Sequence, residues 1–262
     1  MKRALATIAT VCAFCLFPSF AHAQKTPPRA AEKVLRVAAA SDLEPVMPAF
    51  AAAFERETGV RLQVSFGSSN TLATQIVNGA PEDVFLSADF TAPEKVVAAG
   101  LATEKAPVPY ARGILVLWAR KDSPIQPLSM EKLSGPRVTR IAVADEFHAP
   151  YGRAAFAAMR WLKLYEPLKA KLVSAENVAQ AAQFVESGNA QAGFLSLTTA
   201  NAPHFQQIGS YVRVPTIYPA IRQCGIVLKR SPHVEEANRF LAWLTSPKVQ
   251  EQLPHYGLEP AQ

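Results

Sequence analysis

Cysteine is nearly missing from this chain: three residues in 262. Two of them, Cys12 and Cys15, fall in the first 23 residues, which leaves Cys224 alone in the remainder. One thiol cannot close an internal disulfide, so a disulfide-stapled scaffold is excluded. A chain of this length buries enough core to do without one. Cys224 lies in the apolar run Cys224-Gly225-Ile226-Val227-Leu228, the setting of a buried structural thiol. No second His or Cys stands at ligand spacing from His148, so a metal centre has no footprint. There is no G-x-S-x-G elbow for a hydrolase nucleophile. Dense Lys/Arg clusters interleaved with aromatics are also missing, and no nucleic-acid partner is expected. Beyond the N-terminus no run is apolar enough to cross a bilayer.

What is present begins with an export signal. Lys2 and Arg3 precede an apolar stretch from Ala4 to Phe20, which closes on Ala21-His22-Ala23, an A-x-A site. This order is a secretory signal peptide with cleavage after Ala23, so a periplasmic location is expected. Neither early cysteine sits at the cleavage site, which removes a lipoprotein anchor. Removing Lys2 and Arg3 from 27 basic residues leaves 25 against 21 acidic ones, a net charge of +4. That balance says little about partners.

Residues 24–32 contain Pro27 and Pro28, show no periodicity and read as a disordered leader. From Lys33 a rhythm of short apolar strand and amphipathic helix sets in. Strands are expected at 34–39, 61–66, 83–87, 113–119, 140–144, 171–174, 192–197 and 225–229. Helices are expected at 43–57, 71–78, 92–99, 152–164, 178–186, 234–244 and 247–253. Alternation of this kind implies mostly parallel sheets covered on both faces. The length after the signal suits two α/β lobes joined by two strand crossings, one near Arg112 and one near Tyr218. The expected division is residues 33–112 and 219–262 in lobe I, and 113–218 in lobe II.

Four turns between strand and helix carry the chemistry. They are Ala40-Ser41-Asp42, Gly67-Ser68-Ser69-Asn70, His148-Ala149-Pro150-Tyr151-Gly152 and Ala175-Glu176-Asn177-Val178. Each opens a helix, where backbone N–H groups lack intrahelical partners and carry partial positive charge. Ser41, Ser69 and Asn70 add donors beside those amides, a composition suited to an anion held without a formal counter-charge. Any one of these turns is equally an ordinary N-cap. Distributed two to a lobe, they point to an exported two-lobed binder of something polar.

Several of these segments carry a resemblance. Val37-Ala38-Ala39-Ala40-Ser41-Asp42-Leu43 resembles the opening motif of the periplasmic molybdate-binding proteins. Phe66-Gly67-Ser68-Ser69-Asn70-Thr71-Leu72 and Gly79-Ala80-Pro81-Glu82-Asp83-Val84-Phe85-Leu86-Ser87-Ala88-Asp89 resemble its next two signatures. Ala149-Pro150-Tyr151-Gly152 and Asn177-Val178 follow in order, and the likeness runs from about Leu35 to Gly257.

The resemblance implies a class II periplasmic binding fold and no catalysis. It also implies no cofactor, a monomer, and delivery of the anion to the membrane permease of an ABC importer. It assigns the anion to Ser41 and Ser69 through hydroxyls and amides, and to Tyr151 and Val178 through amides. The Asp42 N–H would stand beside Ser41. Molybdenum would enter only inside its oxyanion. Some members supply a tyrosine hydroxyl from the segment matching Gly193-Phe194-Leu195-Ser196. Ser196 is too short for that reach, so either Tyr151 compensates or the site has one donor fewer.

Molybdate and tungstate are dianions that carry only acceptors, and burying one requires a cage of donors. Sulfate shares that property but is smaller. Phosphate keeps a proton at neutral pH and seeks an acceptor, for which Asp42 is the one nearby carboxylate. An acidic residue in a first helical turn is ordinarily there for the helix dipole. Arg112 and Arg153 are further candidates to reach an anion, with solvated structural roles favoured for both and an interlobe ion pair as another alternative for Arg112, at the expected crossing. An exported phosphate- or sulfate-ester hydrolase using the same turns is the competing function class.

Overall fold

The computed structural model describes residues 33–261. The signal peptide and leader lie outside the described residues. No helix among the described residues is long and apolar enough to cross a membrane.

The chain starts with β1 (Lys33–Ala40), α1 (Met47–Thr58), β2 (Val60–Gly67), α2 (Ser69–Val77), β3 (Val84–Ser87), α3 (Thr91–Ala98) and β4 (Val108–Gly113). It continues through β5 (Leu115–Arg120), β6 (Ile141–Ala144), α4 (Pro150–Trp161), α5 (Tyr165–Leu168), β7 (Leu172–Ala175) and α6 (Val178–Glu186). β8 (Ala192–Ser196), α7 (Leu197–Ala200), α8 (Pro203–Ile208) and β9 (Gly209–Arg213) complete that part. β10 (Ile221–Val227), α9 (Val234–Leu244), α10 (Pro247–Gln250) and β11 (Leu258–Pro260) close the chain.

Two sheets result, ordered β11-β4-β10-β3-β1-β2 and β7-β6-β8-β5-β9. The chain passes from the first to the second between β4 and β5, and returns between β9 and β10. Two α/β lobes joined by strand crossings are what the rhythm implied. The sheets are mixed rather than mostly parallel. β2-β1-β3 and β7-β6-β8 are parallel, while β10, β11, β5 and β9 pair antiparallel. β5 and β10 enter their sheets directly from the other lobe, with no crossover helix to bring them parallel to their neighbours.

Local sequence explains most boundaries. Gly59 ends α1 at φ 72°, a left-handed conformation that glycine adopts without a Cβ penalty. α1 begins at Met47 rather than Leu43 because Pro48 has no N–H to donate and fits only the first turn. Leu43, the expected first helical residue, instead ends a 3₁₀ turn, Ser41–Leu43. α1 then buries Phe50 and Phe54 on one face. Phe54 meets Phe240 and Trp243 of α9 edge-on, at ring separations of 5.0 and 5.5 Å, so the last helices seal the first lobe. In the second lobe Trp118 of β5 is fully buried against Phe205. A Cβ at Gly209 would lie 1.9 Å from the Trp118 ring, so β9 can pair with β5 only with glycine there.

Candidate functional site

All four turns open helices or helical turns as the sequence indicates, and they converge from both sheets. Ser41 and Asp42 follow β1 and are 4% and 1% exposed. Glu44 N–H donates to the Ser41 carbonyl and closes the 3₁₀ turn. The Ser41 hydroxyl has no hydrogen-bond partner among the described residues.

Ser68, not Ser69, is the N-cap of α2, accepting from Thr71 N–H. That leaves Ser69 as the first residue of the helix, wholly buried. Its hydroxyl accepts from Ala88 N–H at 3.1 Å, and its own proton remains available to a ligand. Asn70, an expected donor to the anion, is committed elsewhere. Its Nδ2 donates to the Phe147 carbonyl at 2.8 Å and its backbone N–H to the His148 carbonyl at 3.3 Å, both in the other lobe.

Tyr151 follows Pro150 in the first turn of α4, and Val178 is the first residue of α6 after the cap Asn177. The amides of Ser69, Tyr151 and Val178 all precede the first intrahelical acceptor. His148 is bonded to Asp145 through Nδ1 at 2.7 Å. No group of three metal-ligating side chains occurs among the described residues.

Ser41, Asp42, Ser69, Tyr151 and Val178 together line one small cavity of about 10 Å³, the rest of whose wall comes from neighbours in the same segments and from Ala88. Lysine, arginine and histidine are absent from this lining. Larger hollows exist, among them a 530 Å³ groove lined by Arg36, Arg61 and Arg230. None of the four turns contributes to it, so convergent donors rather than size single out the small cavity.

The Tyr151 hydroxyl is directed at Asp42. It donates to Asp42 Oδ2 at 3.1 Å, and burial together with that carboxyl pushes the phenol well above its ordinary range. Ser196 caps α7, accepting from Thr199 N–H, and its hydroxyl lies 2.8 Å from that of Thr198. Arg112 pairs with Glu259 at 3.5 Å, on neighbouring strands of the first sheet. The pair across the cleft is Arg153 with Asp89. Cys224 is buried, its thiol donates to the Asp89 carbonyl, and burial pushes its pKa up.

Two residues around the cavity escaped sequence reading. Gln223 of β10 donates to Asp42 Oδ2, and the Thr198 hydroxyl donates to the Asp42 carbonyl at 2.6 Å. Both are far from Asp42 in sequence, and no local pattern marks them.

Comparison with known proteins places this geometry. Residues 35–259 match the family model for bacterial extracellular solute-binding proteins. The molybdate-binding protein ModA of Rhodobacter capsulatus is 36% identical over 235 residues, covering 88% of this chain and 89% of that one. The solved periplasmic molybdate-binding protein of Azotobacter vinelandii superposes with a TM-score of 0.80 at 33% identity. The alignment covers 87% of this chain and all of that one. The sulfate-binding protein SubI of Mycobacterium tuberculosis shares the fold, with a TM-score of 0.76 at 14% identity. The chain belongs to the bacterial extracellular solute-binding protein family and stands with the ModA proteins within it.

Proposed function

We propose that this protein captures molybdate or tungstate between its two lobes and passes it to the membrane permease of an ABC importer. One observation carries the reading: four helix-opening turns, two from each sheet, meet at a single cavity whose lining contains no cationic side chain. Neutral donors aimed at one point suit a ligand that has only acceptors. Ser41 and Ser69 act through hydroxyl and amide, Asp42, Tyr151 and Val178 through the amide alone. The metal stays inside its oxyanion, and no protein atom coordinates it. The likeness to ModA proteins supports the choice of ion. Sulfate is the second reading, favoured by the fold shared with SubI.

The protein acts as a monomeric binder in the periplasm, its mature chain beginning at Gln24 and its lobes divided at residues 112/113 and 218/219. It has no resident cofactor, no catalytic step and no nucleic-acid partner.

A thermal-shift panel of molybdate, tungstate, sulfate and phosphate tests the ion. A ligand at about 100 times its Kd adds roughly 2.7 kcal/mol. At this size that raises Tm by several degrees. Molybdate and tungstate should do so while sulfate and phosphate do not. An equal rise with sulfate would move the assignment to that ion.

A further inference from the structure

Asp42 holds a carboxyl group where a charge is poorly accommodated. It is 1% exposed, between the lobes. Its Oδ2 accepts from Tyr151 of α4 and Gln223 of β10. Its Oδ1 is buried with no partner, and so are Gln223 Oε1 and the Tyr110 hydroxyl. Neither nearby arginine pairs with Asp42: Arg153 pairs with Asp89 and Arg112 with Glu259 through Nη2, the Arg112 Nε having no hydrogen bond among the described residues. The titratable groups around Asp42 are Tyr110 from β4, Tyr151 from α4 and Cys224 from β10, each pushed up by burial and neutral. α7 presents Thr198, and the one titratable side chain of α6, Glu186, is bonded to His204. The end of β2 brings only Gly67.

An unpaired buried carboxylate is costly, and its protonated form is much less so. Protonation at Oδ1 removes the buried charge at an oxygen that no protein donor stabilises. The ligand adds to the pressure, because Asp42 lines the cage. A dianion there repels an ionised carboxylate.

We propose that Asp42 carries a proton when the lobes are closed on the anion, so that each dianion is captured together with one proton. The proton comes from solvent, binds Oδ1 as the cleft closes and returns to solvent on opening. This rests on the cage being the dianion site. Independently of any ligand, burial lifts the Asp42 carboxyl from 3.8 to about 7, with the Tyr151 and Gln223 hydrogen bonds opposing the rise. When the lobes part, Asp42 gains water and falls back toward its ordinary value. The closed form then binds the extra proton below its own raised pKa. Between the open and closed values affinity weakens about tenfold per pH unit as pH rises, and above the closed value it levels off.

The test is calorimetric titration of molybdate into the wild-type protein slightly below neutral pH, in buffers of different ionisation enthalpy. The apparent enthalpy should vary with the buffer by an amount approaching one proton taken up per anion. Asp42→Asn, which keeps the backbone amide, should show no buffer dependence. Wild-type binding with no proton uptake overturns the proposal and leaves the cage in place, as does equal uptake in Asp42→Asn. No molybdate binding in any buffer overturns the reading of the cage, and this proposal with it. The wild-type series decides even where the variant fails to fold.

Discussion

At the scale of single residues, the two serines of the cage differ in what else they do. The Ser41 hydroxyl has no partner among the described residues, whereas that of Ser69 holds the Ala88 amide. Removing either takes one charge-assisted bond from the anion, worth about 1.5–3 kcal/mol. Ser41→Ala and Ser69→Ala should therefore each weaken molybdate binding by roughly 10- to 100-fold. Only Ser69→Ala also strands a buried N–H, at about 1–3 kcal/mol of stability. Titration calorimetry and ligand-free melting separate the two: Ser41→Ala melts like wild type, and Ser69→Ala melts several degrees lower. If both folded variants bind like wild type, the anion does not sit at these turns. Tyr151→Phe asks a different question, since its hydroxyl serves Asp42. It should bind about tenfold more weakly through the loss of one interlobe hydrogen bond. A loss approaching 100-fold, beyond what one such hydrogen bond supplies, would instead place the hydroxyl on the anion. These hydroxyl assignments depend on who partners whom in space. The sequence marks Ser41 and Ser69 as helix-end donors, but not that Ser68 takes the capping role or that Asn70 reaches the opposite lobe.

Elements were legible where a single face is buried, and obscure where it is not. α6 and α9 run between the residues their apolar spacing indicates, Val178–Glu186 and Val234–Leu244. β4 was not legible because Pro109 interrupts it. The structure tolerates that proline at an irregularity, where the register with β10 shifts between Gln223 and Cys224. β9 is a short edge strand with mostly exposed or half-buried side chains, so it shows no alternation to read. The packing of α4 depends on one residue in its first turn. A Cβ at Gly152 would lie 2.2 Å from the Asp145 carbonyl oxygen and 2.4 Å from that of Ala144. These are backbone atoms at the end of β6 and just after it, so the helix itself must shift. Gly152→Ala should cost about 1–3 kcal/mol, the usual range for overpacking. It should also weaken anion binding, because the shifted helix carries the Tyr151 amide away from the cage. Urea unfolding and calorimetry check both parts. A variant with wild-type unfolding midpoint and affinity would show that α4 has room to move.

For the whole molecule, the two-lobed plan followed from the strand–helix rhythm, but the contacts that hold the lobes together did not. They join residues distant in sequence that meet only when the cleft is shut. At the rim, Asn70 Nδ2 donates across to the Phe147 carbonyl at 2.8 Å, which also accepts from an Arg153 guanidinium nitrogen of its own lobe at 3.4 Å. Arg153 also pairs with Asp89. The Asn70–Phe147 and Arg153–Asp89 contacts cross between the lobes, so they should lengthen the stay of the anion without changing how fast it enters. Arg153 is 36% exposed at the side chain, and such a pair contributes about 0.2–1 kcal/mol. The Asn70 hydrogen bond adds about 0.5–1.5 kcal/mol. Arg153→Ala should then raise the dissociation rate up to about fivefold, and Asn70→Ala by about two- to tenfold. Because both side chains use the Phe147 carbonyl, the double variant should depart from the product of the single effects. Stopped-flow displacement of molybdate by excess tungstate reads the dissociation rate directly. Slower association with an unchanged dissociation rate would mean that the rim guides entry rather than holding the cleft shut.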